Sequence, residues 1–215
     1  MDKKVNKKEL IEQCFELLTH CTSNMFVVPR GHNEIPNEVT AKNDIDIVLA
    51  GKYSLKPVAE YFQKNGFKLH IDQHRYMYGA EPHIQFTHEQ SDVKLDMVTG
   101  LYYRSVVDKM LWMPVNKEVY QSMFRNRVYC KDEIWKFRPA FEDELVHIIC
   151  HCIFDKRTTP EKYVKRINEL LPLIDESKVN YLLERAFYKA SDIVFETTKT
   201  NPENLHNAYI TFTEY

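Results

Sequence analysis

Glycine is scarce in this chain, with five in 215 residues. No GxGxxG and no GxxxxGK[ST] occurs. A dinucleotide-binding turn and a P-loop are therefore excluded, because both need glycines at fixed offsets for backbone to approach phosphate. Cysteine is sparse as well. Cys14, Cys21, Cys130, Cys150 and Cys152 are odd in number, and no CxxC is present. That argues against a disulfide framework and predicts reduced thiols in a cytoplasmic protein. No run approaches the ~18 apolar residues of a membrane span. The basic start, MDKKVNKKEL, lacks the apolar centre of a signal peptide, and no membrane partner is expected. Charge of one sign is missing too. Lys and Arg number 29 against 31 Asp and Glu, a net charge of −2. A globally basic nucleic-acid binder is excluded, while a local basic groove is not.

What is present is an ordinary soluble composition, 44% hydrophobic and 28% charged, enough for one sizeable core and a smaller helical lobe. Leu10, Ile11, Cys14, Phe15, Leu17 and Leu18 recur at helical spacing over 7–21. Met25–Val28 reads as a strand closed by the turn Pro29-Arg30-Gly31. After a polar loop over 31–43, the run 44–49 alternates and then turns fully apolar, as a central strand does. A helix over 55–65 is expected, capped by Ser54 and stopped by Gly66. Strands are expected at 67–71, 74–79, 83–88 and 93–98, with 79–82 as a hairpin turn. Short strands and a short helix are expected within 101–140. After Pro139 the pattern becomes helical, over 142–155, 160–171, 178–190 and a last segment beyond Pro202. The fold expectation is α+β: a mixed sheet flanked by helices over 1–138, then a helical C-terminal lobe over 139–215.

The chemistry-bearing residues are carboxylates in strands. Asp44 and Asp46 are two apart, so a strand puts both on one face. Adjacent anions repel, and partial burial raises the cost. A divalent cation compensates, and hard oxygen donors suit Mg²⁺ or Mn²⁺ with phosphate oxygens completing the shell. Asp96, inside Lys94-Leu95-Asp96-Met97-Val98, joins the pair if its strand neighbours 44–49. Three carboxylates can bridge two metals for an in-line phosphoryl displacement. The plainer reading leaves Asp44 in a turn, Asp46 in solvent and Asp96 on an edge strand.

The order of these motifs carries a resemblance. Phe26-Val27-Val28-Pro29-Arg30-Gly31, a polar loop, Asp44-Ile45-Asp46-Ile47-Val48, a helix, and then Leu95-Asp96-Met97 resembles the DNA polymerase β-like nucleotidyltransferase superfamily. In particular it resembles its small bacterial and viral members. Asp143-Glu144-Leu145-Val146-His147 and His151–Lys156 are similar to the helical part of such proteins. The resemblance implies a nucleotidyltransferase-like fold. It also implies metal-dependent transfer of a nucleoside monophosphate from a nucleoside triphosphate to an acceptor hydroxyl on RNA, a protein, a sugar or a small molecule. Asp44 and Asp46 would hold the metals. Asp96 would complete the site and help take the hydroxyl proton. Gly31 and Arg30 would cradle phosphates, and His151 and Lys156 would reach them from the second lobe. Many members carry Gly-Gly or Gly-Ser after the first strand, whereas this chain has Gly31-His32-Asn33. Arg30, His32 or Asn33 would have to replace the missing hydroxyl. That departure supports an alternative reading, a catalytically inactive binding or regulatory module on the same fold.

Other groups have bland readings. Glu144, His147, His151 and Asp155 form one polar helical stripe, expected to be a solvated face or to line a cleft. Lys162, Lys165 and Arg166 lie at helical spacing, which reads as a solvated basic face. Arg30 is expected to meet phosphate, or to pair with Glu34 or Glu38. Cys150 and Cys152 are expected to be buried thiols.

Overall fold

The structure, a computed structural model, describes residues 6–37, 39, 44–51, 55–71, 76–77 and 83–213. The expected Ser54 cap, the 79–82 turn and Glu38 lie outside the described residues. The chain separates into two compact units. One comprises Met1–Leu101 with Arg127–Arg138, and the other Tyr102–Asn126 with Pro139–Tyr215. The second unit is thus made from two separate stretches of chain, as is the first.

In the first unit α1 (Lys7–Thr22) begins at Asn6, whose side chain accepts the Lys8 amide N–H at 3.1 Å. Its six apolar residues at helical spacing are all buried. β1 (Phe26–Val27) pairs antiparallel with β2 (Ile45–Leu49). α2 (Leu55–Lys64) buries Leu55, Val58 and Phe62. It stops at Gly66, whose φ of 83° is left-handed and suits a residue without Cβ. β3 (Phe67–Ile71), a short β4 (Tyr76–Met77), β5 (Ile84–His88) and β6 (Lys94–Val98) follow. The strands of the main sheet run in the order β1-β2-β6-β5-β3. Only β2 and β6 are parallel neighbours in it. β9 (Val128–Tyr129) and β10 (Phe137–Arg138) form a small ribbon, and the Val28 N–H donates to the Phe137 carbonyl at 3.0 Å.

Period two sorts the sheet's side chains. Ile45, Ile47, Leu49, Leu95, Met97, Ile84, Phe86 and Phe67 enter one core with the buried faces of α1 and α2. The alternate positions of β2, β6 and β5 carry Asp46, Asp96, Gln85 and Thr87. One sheet face is thus an apolar core under two helices, and the other carries these polar groups beside Val48 and Val98.

The second unit holds the hairpin of β7 (Tyr102–Arg104) and β8 (Leu111–Pro114), then α3 (Lys117–Arg125). α4 (Phe141–Cys150) continues without a break into a π-helical segment, His151–Lys156. α5 (Glu161–Leu170), α6 (Glu176–Phe187), α7 (Ser191–Thr200) and α8 (Leu205–Ile210) complete it. Leu145, Ile149, Ile153, Ile167, Val179, Leu183 and Val194 are fully buried. The mixed sheet followed by a helical C-terminal region is the α+β organisation expected. Among the described residues, no helix is long and apolar enough to cross a membrane.

Candidate functional site

Asp46 and Asp96 are direct Cα partners across the parallel β2–β6 pairing. Strand spacing puts such backbones about 4.8 Å apart, with both side chains on one face. The row continues through Gln85, the partner of Asp96 on β5, to His70 on β3. Asp44 is exposed and immediately precedes β2, two positions before Asp46. The plainer reading fails for Asp96, because β6 lies between β2 and β5 and is not an edge, but it holds in placing Asp44 ahead of the strand rather than in it.

Each strand carboxylate has a basic side chain on it. Arg30 extends from the turn after β1, and its Nη2 lies 2.8 Å from Asp46 Oδ2. His83 precedes β5, and its Nε2 contacts Asp96 Oδ1. The groups are largely sheltered, with side-chain exposures of 16% for Arg30, 30% for Asp46, 4% for His83 and 16% for Asp96. Two neighbouring carboxylates that are partly withdrawn from water repel unless cations stand beside them. Arg30 supplies that compensation at Asp46, and His83 brings a ring nitrogen to Asp96. Asp46 is a partner of Arg30 that the sequence reading, which considered Glu34 and Glu38, did not name.

Gly31 adopts a φ of 66° and starts a 3₁₀ turn over His32–Glu34, in which the Glu34 N–H donates to the Gly31 carbonyl at 3.0 Å. A Cβ there would meet the Glu34 carboxyl only at 3.9 Å, so the left-handed backbone rather than crowding favours glycine. Asn33 is exposed on the same turn. His32 is 3% exposed and its ring packs on Trp135, centroids 4.9 Å apart. That burial gives His32 a packing role beside its expected one.

His151 and Lys156 belong to the second unit. The polar stripe there is not a solvated face. Glu144, His147 and His151 are buried. Tyr103 Oη and His147 Nδ1 hydrogen-bond at 2.6 Å, and His151 Nδ1 bonds Asp155 Oδ2 at 2.9 Å. Asp155 Oδ1 accepts the Arg104 N–H at 3.0 Å. Lys156 is exposed at the end of the π-helical segment. The basic face of α5 is likewise not wholly solvated, because Arg166 forks onto both oxygens of buried Glu144 at 2.8 Å each. All five cysteines are free thiols. Burial pushes the Cys14 and Cys150 thiols far above their ordinary pKa, so neither is a nucleophile at neutral pH.

Among the described residues, no three His, Cys, Asp or Glu side chains converge into a metal cage. Mg²⁺ does not need one. It is commonly held by one or two carboxylates together with waters and substrate phosphates. The two in-register aspartates, with Asp44 beside them in sequence, fit that kind of binding by donor type. Sequence reasoning missed His83 and Gln85. The alternation His83-Ile84-Gln85-Phe86-Thr87 puts them on the face opposite the apolar residues, and that signal was available.

Compared with known proteins, the chain matches no family model and no curated protein. Among solved structures it is similar to the crystal structure of JHP933 from Helicobacter pylori. The TM-score is 0.40 and the identity 13%, over 94% of this chain and 81% of that one.

Proposed function

We propose that this chain is a metal-dependent nucleotidyltransferase, moving a nucleoside monophosphate from a nucleoside triphosphate to a hydroxyl acceptor. The observation that supports the reading is the pairing of Asp46 with Asp96 on adjacent parallel strands, on the sheet face away from the apolar core. Asp44, Asp46 and Asp96 would hold Mg²⁺ or Mn²⁺. When bound, the cation would polarise phosphate oxygens and make the acceptor hydroxyl more acidic.

The chain's own groups have separable tasks. Arg30 is a planar donor fork already at the carboxylate pair. It can exchange Asp46 for phosphate oxygens, which it suits by geometry and charge. Gly31, at the same turn, lets backbone approach a phosphate. His83 fixes the orientation of Asp96, whose carboxylate would accept the acceptor's proton. The acceptor oxygen forms a bond to the α-phosphorus, and the bond from that phosphorus to the bridging oxygen breaks. The electron pair leaves with pyrophosphate.

A second reading is favoured by a specific observation. Both carboxylates already carry a basic side chain of their own chain, and no hydroxyl follows Gly31. The same fold would then bind a nucleotide or a partner without turnover.

The test is thermal denaturation with each nucleoside triphosphate, with and without Mg²⁺ or Mn²⁺, on the wild type and on Asp44→Asn/Asp46→Asn. A ligand of the native state raises the midpoint. A metal-dependent rise that the double variant loses is expected, together with pyrophosphate release that Asp96→Asn abolishes. Binding without release would favour the second reading. Release retained by a purified Asp96→Asn protein would overturn the assignment.

A further inference from the structure

Arg30 stands on a carboxylate that the proposed reaction needs for its cation. Its Nη2 lies 2.8 Å from Asp46 Oδ2, and both side chains are largely sheltered from water. Sheltered charges interact more strongly than exposed ones, so the same guanidinium that holds Asp46 also opposes the arrival of a second cation there. The fold builds this contact in. β1 runs antiparallel to β2 with Val27 opposite Val48, and the chain leaving β1 therefore heads towards the Asp46 end of β2. The turn that follows is firmly held. Gly31 is left-handed at a φ of 66°. The Glu34 N–H donates to the Gly31 carbonyl at 3.0 Å, and the Ile35 N–H to the His32 carbonyl at 3.2 Å. His32 is buried against Trp135. The backbone beside Arg30 is thus anchored, and the side chain is the part free to change partners.

Arginine keeps its charge throughout the physiological range, so loss of a proton does not clear Asp46. An anion does. A triphosphate offers paired oxygens that suit the guanidinium fork, and Gly31 lets backbone approach the same phosphate. An Arg30 side chain that turns to phosphate releases Asp46. Nucleotide and cation then help each other to bind, and such coupling is reciprocal.

We propose that Arg30 makes the cation site nucleotide-gated. Without a nucleoside triphosphate it holds Asp46 and keeps the cation weakly bound; with one it moves to phosphate and frees the carboxylate. This inference rests on the nucleotidyltransferase reading and adds an order to it, the cation entering together with the nucleotide.

The test is Mn²⁺ binding by the full chain, read from the electron paramagnetic resonance of the free ion. It is measured alone and with a nucleoside triphosphate analogue whose α–β bridge is a methylene, which blocks transfer. Mn²⁺ held by the analogue in buffer is subtracted. Arg30→Gln should bind Mn²⁺ alone about tenfold more tightly than the wild type, as removal of one charge-assisted contact on Asp46 implies. With the analogue it should bind Mn²⁺ more weakly than the wild type, because the phosphates have lost their donor fork. A purely structural Arg30 would not give that change of sign. Arg30→Lys, which keeps the charge without the fork, should stay weak alone and gain less from the analogue. If Arg30→Gln does not fold, Arg30→Met carries the same comparison. Mn²⁺ bound no more tightly by the uncharged variant alone, or more tightly by it under both conditions, would overturn the gate and leave the nucleotidyltransferase reading standing. Mn²⁺ bound by none of the proteins under either condition would overturn both.

Discussion

At the scale of single residues, the site is a balance of charge. Asp96 is paired with His83, and both are mostly out of water. His83→Ala would leave the carboxylate without its basic partner in a partly desolvated position. The expected loss is about 1 kcal/mol, the usual net worth of one such hydrogen bond. His83→Ala/Asp96→Ala should lose less than the two single losses added together, because both changes remove the same contact. Urea denaturation of the four proteins measures this directly. Asp143 offers a different residue-scale prediction. Burial, outweighing its hydrogen bonds from Ser122 and Asn126, holds its pKa above the ordinary carboxylate value. The folded state therefore binds this proton more readily than the unfolded chain does. The sign follows: this group favours folding increasingly as pH falls through its raised value towards the unfolded value near 4. Relative to Asp143→Asn, which lacks the titration, the wild type should gain stability between pH 7 and pH 4. A difference in urea midpoint that stays constant or moves the other way would contradict the account. The aspartates were legible in sequence because two carboxylates sit in otherwise apolar strands. The groups that hold them were less so. Arg30 and His83 reach Asp46 and Asp96 from other segments, and one-dimensional spacing does not report such meetings.

At the scale of elements, helices that follow propensity and periodicity together were legible, and those that rely on packing were not. α1 and α2 show apolar stripes, and both occur where expected. α7 has no such forecast. Its sequence, SDIVFETTKT, is rich in β-branched residues, which lose side-chain freedom in a helix. Burial of Val194, Phe195, Thr197 and Thr198 overrides that preference. Tyr188, at a φ of 53°, separates α7 from α6, where the sequence reads as one helix through Ala190. The polar stripe of α4 misled for a related reason. Amphipathic spacing marks a polar face but not whether another element covers it, and here Glu144 meets Arg166 of α5 across an interface. Glu144 is 1% exposed. Arg166→Ala should therefore destabilise by about 3–5 kcal/mol, because it leaves a buried carboxylate uncompensated. Glu144→Leu/Arg166→Leu should recover most of that loss, since an apolar pair of similar volume avoids the desolvation cost. Chemical denaturation of both variants decides it. A double variant as unstable as Arg166→Ala would show that the α4–α5 contact depends on the pair itself.

At the scale of the whole molecule, the two units are interleaved along the chain. The segment 102–126 belongs with 139–215, although 127–138 returns to the sheet unit. Composition changes at Pro139, where the sequence turns from strand-rich to helix-rich, and so the change in character is visible there. Which core a segment joins is not, because joining is decided by complementary buried faces rather than by local pattern. α3 illustrates the point. Val119, Met123 and Phe124 are buried, and α3 packs against α4 and α6 of its own unit. A fragment of 139–215 would lose that cover and expose apolar surface, while a fragment of 1–138 would carry α3 without the helices it packs on. Burying three such side chains is worth about 1.5–3 kcal/mol each, comparable with the few kcal/mol that a small domain can lose before unfolding. Fragment 139–215 alone should therefore melt at a lower temperature than the same helices in the full chain, or aggregate. Adding a peptide of 102–126 should raise its midpoint in a concentration-dependent way, as binding to the native state requires. Circular dichroism melts over a peptide titration measure this. A fragment 139–215 that is as stable alone as within the chain would mean that α3 is an accessory to the helical core rather than a part of it.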